Sequence, residues 1–241
     1  MANLKSITLL NYFGTGYNLK LWLSNEGLAF VKPGDTRAIT GPNGYGKSLI
    51  LDAINTLLYP AEHLPKAIPH FADKIILKGD SGKITWEYNG GRRKSTVTRE
   101  GTMPTAVFVG EDTTYSPIID GPVTEKEHEF IKKYFGEYLY PKNASEYSKG
   151  FKRFVKIIRA AKEAQETGSV LLIDTPESNL HMFILLSFCQ ILRKLQRQQV
   201  IVTTHNPRMF DDDFTRSVDL YESLEHAKKT QGKDKDKDVS D

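Results

Sequence analysis

Residues Gly41 to Ser48 read GPNGYGKS, with glycines at the first, fourth and sixth places followed by a lysine and a hydroxyl. Residues of these types at this spacing can wrap a phosphate. Gly41, Gly44 and Gly46 can take the dihedrals that turn successive amides inward, and a helix start adds its positive end. The Lys47 ammonium can reach β- and γ-phosphates, and the Ser48 hydroxyl suits Mg²⁺. Pro42, Asn43, Tyr45 and Leu49 complete the candidate nucleotide-contact set. The match to G-x-x-x-x-G-K-[ST] is specific when it lies between a strand and a helix, and TRAIT before it with SLILDAINTLLY after it supplies that context. A plain turn would explain the glycines but neither Lys47 nor Ser48.

A second stretch, LLIDTPESNLH from Leu171 to His181, delivers Asp174 to the end of an apolar run. A carboxylate at the carboxyl end of a buried parallel strand faces the crest where nucleotides sit and can hold a metal directly or through water. ATP and Mg²⁺ are therefore the expected ligands, with Ser48 and Asp174 as the metal-binding pair. The residue after Asp174 is Thr175, whose neutral hydroxyl orients water but is a poor proton acceptor near neutral pH. The nearest glutamate is Glu177, across Pro176. These residues point to nucleotide binding and leave hydrolysis open.

The elements that must position these groups read as an α/β chain. LKSITLLNYF and LKLWLSNEGLAFV suggest strands around a glycine-bearing turn, and TRAIT is a strand feeding the phosphate loop. The helical pattern from Lys47 stops at Pro60. KIILKG, GKITWEYNG and RRKSTVTRE alternate polar and apolar residues between turns and predict an antiparallel meander. TAVFVGED is a further strand, Thr124 to Tyr140 is helical in pattern, and another helix runs from near Ser148 to Gly168. SVLLID and QQVIVTTH bracket a buried helix over Met182 to Leu195, a βαβ pattern that implies parallel strands.

The chain has 241 residues, enough for one sizeable core. One compact domain is expected over residues 1–225, with a helical subregion at about 120–168. The run KKTQGKDKDKDVSD has almost no apolar content, and predicts a disordered charged tail over 226–241. An apolar share of 39% describes an ordinary globular protein, and a net charge of +3 is mild: it leaves nucleic-acid contact possible through a local patch and predicts nothing by itself. The single cysteine, Cys189, forms no internal disulfide and reads as a small buried residue, which favours the reducing cytoplasm. MANLKSITLLNY lacks the features of a signal peptide, and Met182 to Leu195 is too short and polar to span a bilayer, so direct membrane insertion is not expected.

In chain order, the phosphate loop, YSKGFKRFV (Tyr147 to Val155), LLIDTPESNLH and TTHNP (Thr203 to Pro207) resemble an ABC-type ATPase head. The likeness spans residues 4 to 207 and is nearest the cytosolic branch of SMC proteins, recombination-repair ATPases and the overcoming-lysogenization-defect family. It implies a P-loop NTPase fold with a parallel core sheet, an antiparallel meander and an inserted helical signature lobe. It also implies that Ser148 and Gly150 form a signature loop contacting the γ-phosphate held by an opposite subunit. Two heads, from a homodimer or a paralogue pair, would then close around two ATP molecules. His205 matches the family's switch histidine. Without the resemblance, Ser148 reads equally as a helix cap and His205 as a structural residue after a strand.

Two departures stand out. FVGED offers Glu111 or Asp112 where the family has a metal-sensing glutamine. Thr175 stands where the family has the glutamate that polarises the attacking water. The resembling branch often has glutamate at both positions, which makes Glu177 a retained neighbour, although it stays the rescue candidate for the direct base in a catalytic set of Lys47, Asp174, Thr175, Glu177 and His205. The resemblance therefore implies a slow or partner-dependent ATP switch in DNA processing, repair or phage defence. The alternatives are a catalytically inactive regulatory subunit and the ATPase subunit of a membrane transporter. No nuclease-type acidic constellation follows Pro207, so cutting or bridging DNA would need a separate nuclease or effector chain. Arg92, Arg93, Lys94 and Arg99 on a hairpin can contact DNA phosphates or simply solubilise it.

Overall fold

The computed structural model describes residues 3–24, 36–59, 68, 70–90, 94–110, 121–135, 147–178, 180, 199–206 and 215–235. Two five-stranded sheets form the frame. The first contains β1 (Leu4–Leu10), β2 (Leu19–Trp22), β4 (Lys74–Gly79), β5 (Ser81–Asn89) and β6 (Lys94–Thr102), in the order β2-β1-β4-β5-β6. Every neighbouring pair in it is antiparallel, so the expected meander is present and β1 and β2 extend it. The second holds β3 (Thr36–Thr40), β7 (Ala106–Val109), β8 (Val170–Asp174), β9 (Val200–Thr203) and β10 (Thr215–Asp219), in the order β10-β3-β9-β8-β7. All of its pairs are parallel.

Strands β8 and β9, in the middle of the parallel sheet, are mostly apolar and buried because both their faces are covered. On β8, Val170 and Leu172 pack with α1 (Lys47–Leu58) and the antiparallel sheet, in a core that includes Ile7, Leu21, Ile54 and Ile84. The alternate residues Leu171 and Ile173 face a second core built with Phe151, Phe154 and Ile157 of α3 (Lys149–Thr167). Burying each such side chain contributes about 1.5–3 kcal/mol. Gln199 stitches the two sheets: its side chain accepts from Leu4 N–H and donates to the Leu4 and Leu23 carbonyls.

The lobe carries α2 (Glu125–Phe135) and α3. Thr124 and Glu127 form a reciprocal cap at the start of α2, with the Glu127 carboxylate accepting from Thr124 N–H and the Thr124 hydroxyl receiving Glu127 N–H. Arg159 of α3 grips both oxygens of the same carboxylate and also donates to the carbonyls of Gly121 and Pro122. Hydrogen bonding from Arg159, opposed by burial and aided by Thr124, lowers the Glu127 pKa from 4.5 to about 2. A depressed carboxyl pKa stabilises the fold above its ordinary value and loses that stabilisation as pH falls through the folded one. The stability gap between wild type and Glu127→Gln, measured by thermal melts, is therefore expected to be full above pH 4.5 and to close toward pH 2. A gap independent of pH would show that the pair contributes only packing.

At the other end, α4 (Leu220–Lys235) corrects the expectation of a disordered tail from residue 226: the chain stays helical to Lys235. Asp219 caps its first turn by accepting from Tyr221 and Glu222 N–H, and Gln231 exchanges two 2.9 Å hydrogen bonds with the backbone of Asn18. These anchors override the low apolar content. On the meander, the Arg99 guanidinium donates to the Tyr59 carbonyl, 2.6 Å away, so it serves the fold. Arg92 and Arg93, Cys189 and the expected helix over Met182 to Leu195 lie outside the described residues.

Candidate functional site

The phosphate loop leaves β3 at Thr40 and enters α1 at Lys47. Gly41, Gly44 and Gly46 have φ of 135°, 82° and 80°, values that side chains with a Cβ rarely adopt. At Gly46 a Cβ would also lie 2.8 Å from the Tyr12 hydroxyl and 3.0 Å from the Phe13 ring. Tyr12 donates its hydroxyl to the Tyr45 carbonyl and so holds the loop from beneath. The Lys47 ammonium folds back on the loop, 2.7 Å from the Gly41 carbonyl and 3.0 Å from that of Pro42. Burial pushes its pKa down, while Glu177, Asp174 and Asp219 oppose that shift. Pro42, Asn43, Gly44 and Ser48 are exposed around it, and Tyr45 and Leu49 are half-buried.

Asp174 lies opposite Thr203 in the β8–β9 register. Its Oδ1 accepts from the Ser48 hydroxyl at 2.9 Å and from the Thr203 hydroxyl. The first turn of α1 and the end of β8 thus meet at one carboxylate oxygen. A hydroxyl and a carboxylate form an all-oxygen donor pair suited to a small hard cation. Among the described residues no group of three or more His, Cys, Asp or Glu side chains gathers to hold a metal alone. Mg²⁺ here would draw its other ligands from phosphate oxygens and water.

Thr175 has φ of 44°, the left-handed region that a β-branched residue enters at a cost. Its N–H is held 3.0 Å from both the carbonyl and the hydroxyl oxygen of Thr203. Its own hydroxyl is buried and without a hydrogen-bond partner. The turn that follows brings the Glu177 carboxylate back beneath the end of β9, where Oε1 accepts from His205 N–H and the Thr204 hydroxyl. The His205 residue itself is exposed. The structure therefore gathers Lys47, Ser48, Asp174, Thr175, Glu177 and the His205 backbone around one crest.

Ser148 and Gly150 belong instead to the lobe. Ser148 caps α3, its hydroxyl accepting from Phe151 N–H at 3.3 Å, and is exposed, whereas Gly150 is buried. No acidic residue occupies the first turn of α3, so its positive end is not offset by a carboxylate of its own first turn. Glu111, Asp112 and Pro207 lie outside the described residues.

Two participants were not foreseen. Thr203 organises Asp174 and Thr175 together, which only the strand register shows. Arg153, buried on α3, donates to the carbonyls of Gly110, Asp174 and Thr175. Its sequence signal is a charge at a helix position flanked by Phe151, Phe154 and Val155, a stripe that otherwise faces the core.

Comparison with known proteins agrees with this geometry. Residues 103–211 match a family model described as "AAA domain, putative AbiEii toxin, Type IV TA system", and residues 19–66 match the "P-loop containing region of AAA domain". The chain is 30% identical over 187 residues to an uncharacterized ABC transporter ATP-binding protein of Methanocaldococcus jannaschii. That alignment covers 73% of this chain and 60% of the archaeal protein. Among solved structures, the SMC head domain from Thermotoga maritima superposes with a TM-score of 0.58 at 19% identity, over 90% of this chain and 94% of that one. An Smc head domain from Pyrococcus furiosus, with an extended coiled coil and bound to the C-terminal domain of ScpA, gives 0.58 at 14% identity, over 98% and 100%. With a glycine loop, a lysine and a strand-end aspartate placed as described, the chain has a P-loop fold of the kind seen in SMC heads and is similar to AAA-type and ABC-transporter ATP-binding domains over the matched residues.

Proposed function

We propose that this domain is an ATP·Mg²⁺-responsive switch that closes head to head with a second ATPase head and hydrolyses ATP slowly or only with a partner. The observation that carries the reading is the convergence of Lys47, the Ser48–Asp174 pair and the Glu177-held His205 segment on one crest, with Thr175 in place of a carboxylate. Lys47 would exchange its two loop carbonyls for phosphate oxygens. Ser48 and Asp174 would hold Mg²⁺, which supplies charge neutralisation at the phosphates when bound. Phe13, 46% exposed beside the loop, offers a flat face to the base.

The exposed Ser148 hydroxyl and the start of α3 offer donors to a phosphate bound on a facing head. Thr175 provides no proton acceptor near neutral pH, which supports slow turnover. The likeness to SMC heads supports a second head, and the role proposed for the switch is DNA processing, repair or phage defence in the cytoplasm with a separate effector chain, beside a matched model described as a putative toxin of a type IV TA system. Among the described residues no helix is long and apolar enough to cross a membrane. Light scattering tests the self-dimer: the molar mass is expected to double in saturating ATP·Mg²⁺ and to return to that of the monomer in ADP. A monomer with ATP demonstrably bound would overturn the self-dimer form.

A further inference from the structure

Glu177 occupies a turn closed by hydrogen bonds from Ser178 N–H to the Thr175 carbonyl and from Leu180 N–H to its own carbonyl. The left-handed Thr175 at the start of that turn reverses the chain, and so returns the Glu177 carboxylate to the neighbouring strand. There Oε1 accepts two donors, His205 N–H at 2.6 Å and the Thr204 hydroxyl at 2.8 Å. The same segment is tied on its other side, since Thr204 N–H donates to the Ile39 carbonyl of β3 at 3.1 Å. The second carboxylate oxygen, Oε2, is buried and makes no hydrogen bond. Among the carboxylates acting on the Lys47 ammonium, Glu177 exerts the largest effect.

Two donors on one carboxylate oxygen fill its in-plane lone pairs. Rotating the group to present Oε1 to a water would break both. The contact needs only an acceptor, which an amide oxygen also provides, whereas proton abstraction needs the carboxylate itself.

We infer that Glu177 is a positioning residue that fastens the Thr204–His205 segment to the end of β8 and sets the place of His205 beside the terminal phosphate. The inference rests on the ATP-switch reading for its consequence and on Oε1 for its geometry. Without the fastening, the segment that the switch reading assigns to telling a nucleotide triphosphate from a diphosphate loses both bonds to Oε1 and keeps the Thr204–Ile39 bond and the pairing of Thr203 before it, and the distinction weakens while the β-phosphate grip of the loop persists.

Glu177→Gln and Glu177→Ala separate the roles. Two measurements are made on the full chain: affinities for MgATP and MgADP by calorimetry, and hydrogen exchange at the His205 amide. Glu177→Gln is expected to keep the ATP-to-ADP preference within about twofold and to keep the His205 amide protected, because its side-chain oxygen replaces Oε1. Glu177→Ala is expected to lower the preference about 10-fold and to speed exchange at His205, with ADP affinity nearly unchanged. Loss of ATP turnover in both variants with the His205 amide still protected would overturn the inference in favour of a base. Unchanged exchange in Glu177→Ala would also overturn it, whatever the nucleotide affinities. If the wild type shows no preference for ATP, the switch reading fails, and the exchange data alone still decide whether Glu177 holds the segment.

Discussion

Replacing Lys47 by alanine is expected to weaken MgATP binding by about 100-fold. The ammonium sits in the mouth of the loop, already bonded to two carbonyls that a phosphate can replace. Glu177, Asp174 and Asp219 all act on it electrostatically, so its removal leaves phosphate oxygens facing carboxylates. Two charge-assisted hydrogen bonds at about 1.5–3 kcal/mol each exceed the loss needed for two decades of affinity. Because Lys47 is buried, its alkyl stem also fills space, and Lys47→Met controls for that packing. Titration of a fluorescent ATP analogue against both variants checks the prediction. Wild-type affinity in Lys47→Met would remove Lys47 from the phosphate site.

Thr175→Glu is expected to raise the single-site rate of phosphate release at saturating ATP·Mg²⁺ by at least about 10-fold. A positioned general base contributes about 10²–10⁴-fold, and the left-handed backbone at Thr175 will waste part of that gain. The substitution also removes a β-branched residue from φ of 44° and a buried hydroxyl that has no partner. Against this, a new carboxylate joins Asp174 and Glu177, so the variant should melt at a lower temperature than wild type without nucleotide and recover with ATP·Mg²⁺. Thr175→Ala separates the two accounts: it should match the slow wild type. Fast wild-type turnover that Thr175→Ala abolishes would make the threonine itself a participant.

What the sequence could show was local. The glycine spacing around Lys47, the strand ending at Asp174, and the helix from its Ser148 cap to its Gly168 stop all follow from neighbours in the chain, and the structure holds each of them. What it could not show needed pairing between distant strands. Thr203 joins the site because it faces Asp174 across the β8–β9 register, and Glu177 reaches His205 only because Thr175 turns the chain with a positive φ. Helix α4 was missed because its stability comes from contacts remote in sequence: the Asn18–Gln231 pair, and Leu220, whose Cβ would lie 3.3 Å from a Cβ at Gly41. Composition sees mainly its lysines and acidic residues.

Arg153 has a mechanical consequence. One planar guanidinium on α3 binds carbonyls at the ends of β8 and just past β7, in the helix that Ser148 opens. Sliding the lobe across the sheet would strand buried carbonyls at a cost of about 1–3 kcal/mol each, whereas tilting it about the guanidinium keeps those bonds. Arg153 thus pins the helix that Ser148 opens to the ends of β7 and β8, and a tilt about the guanidinium is the displacement that would break the fewest of these bonds.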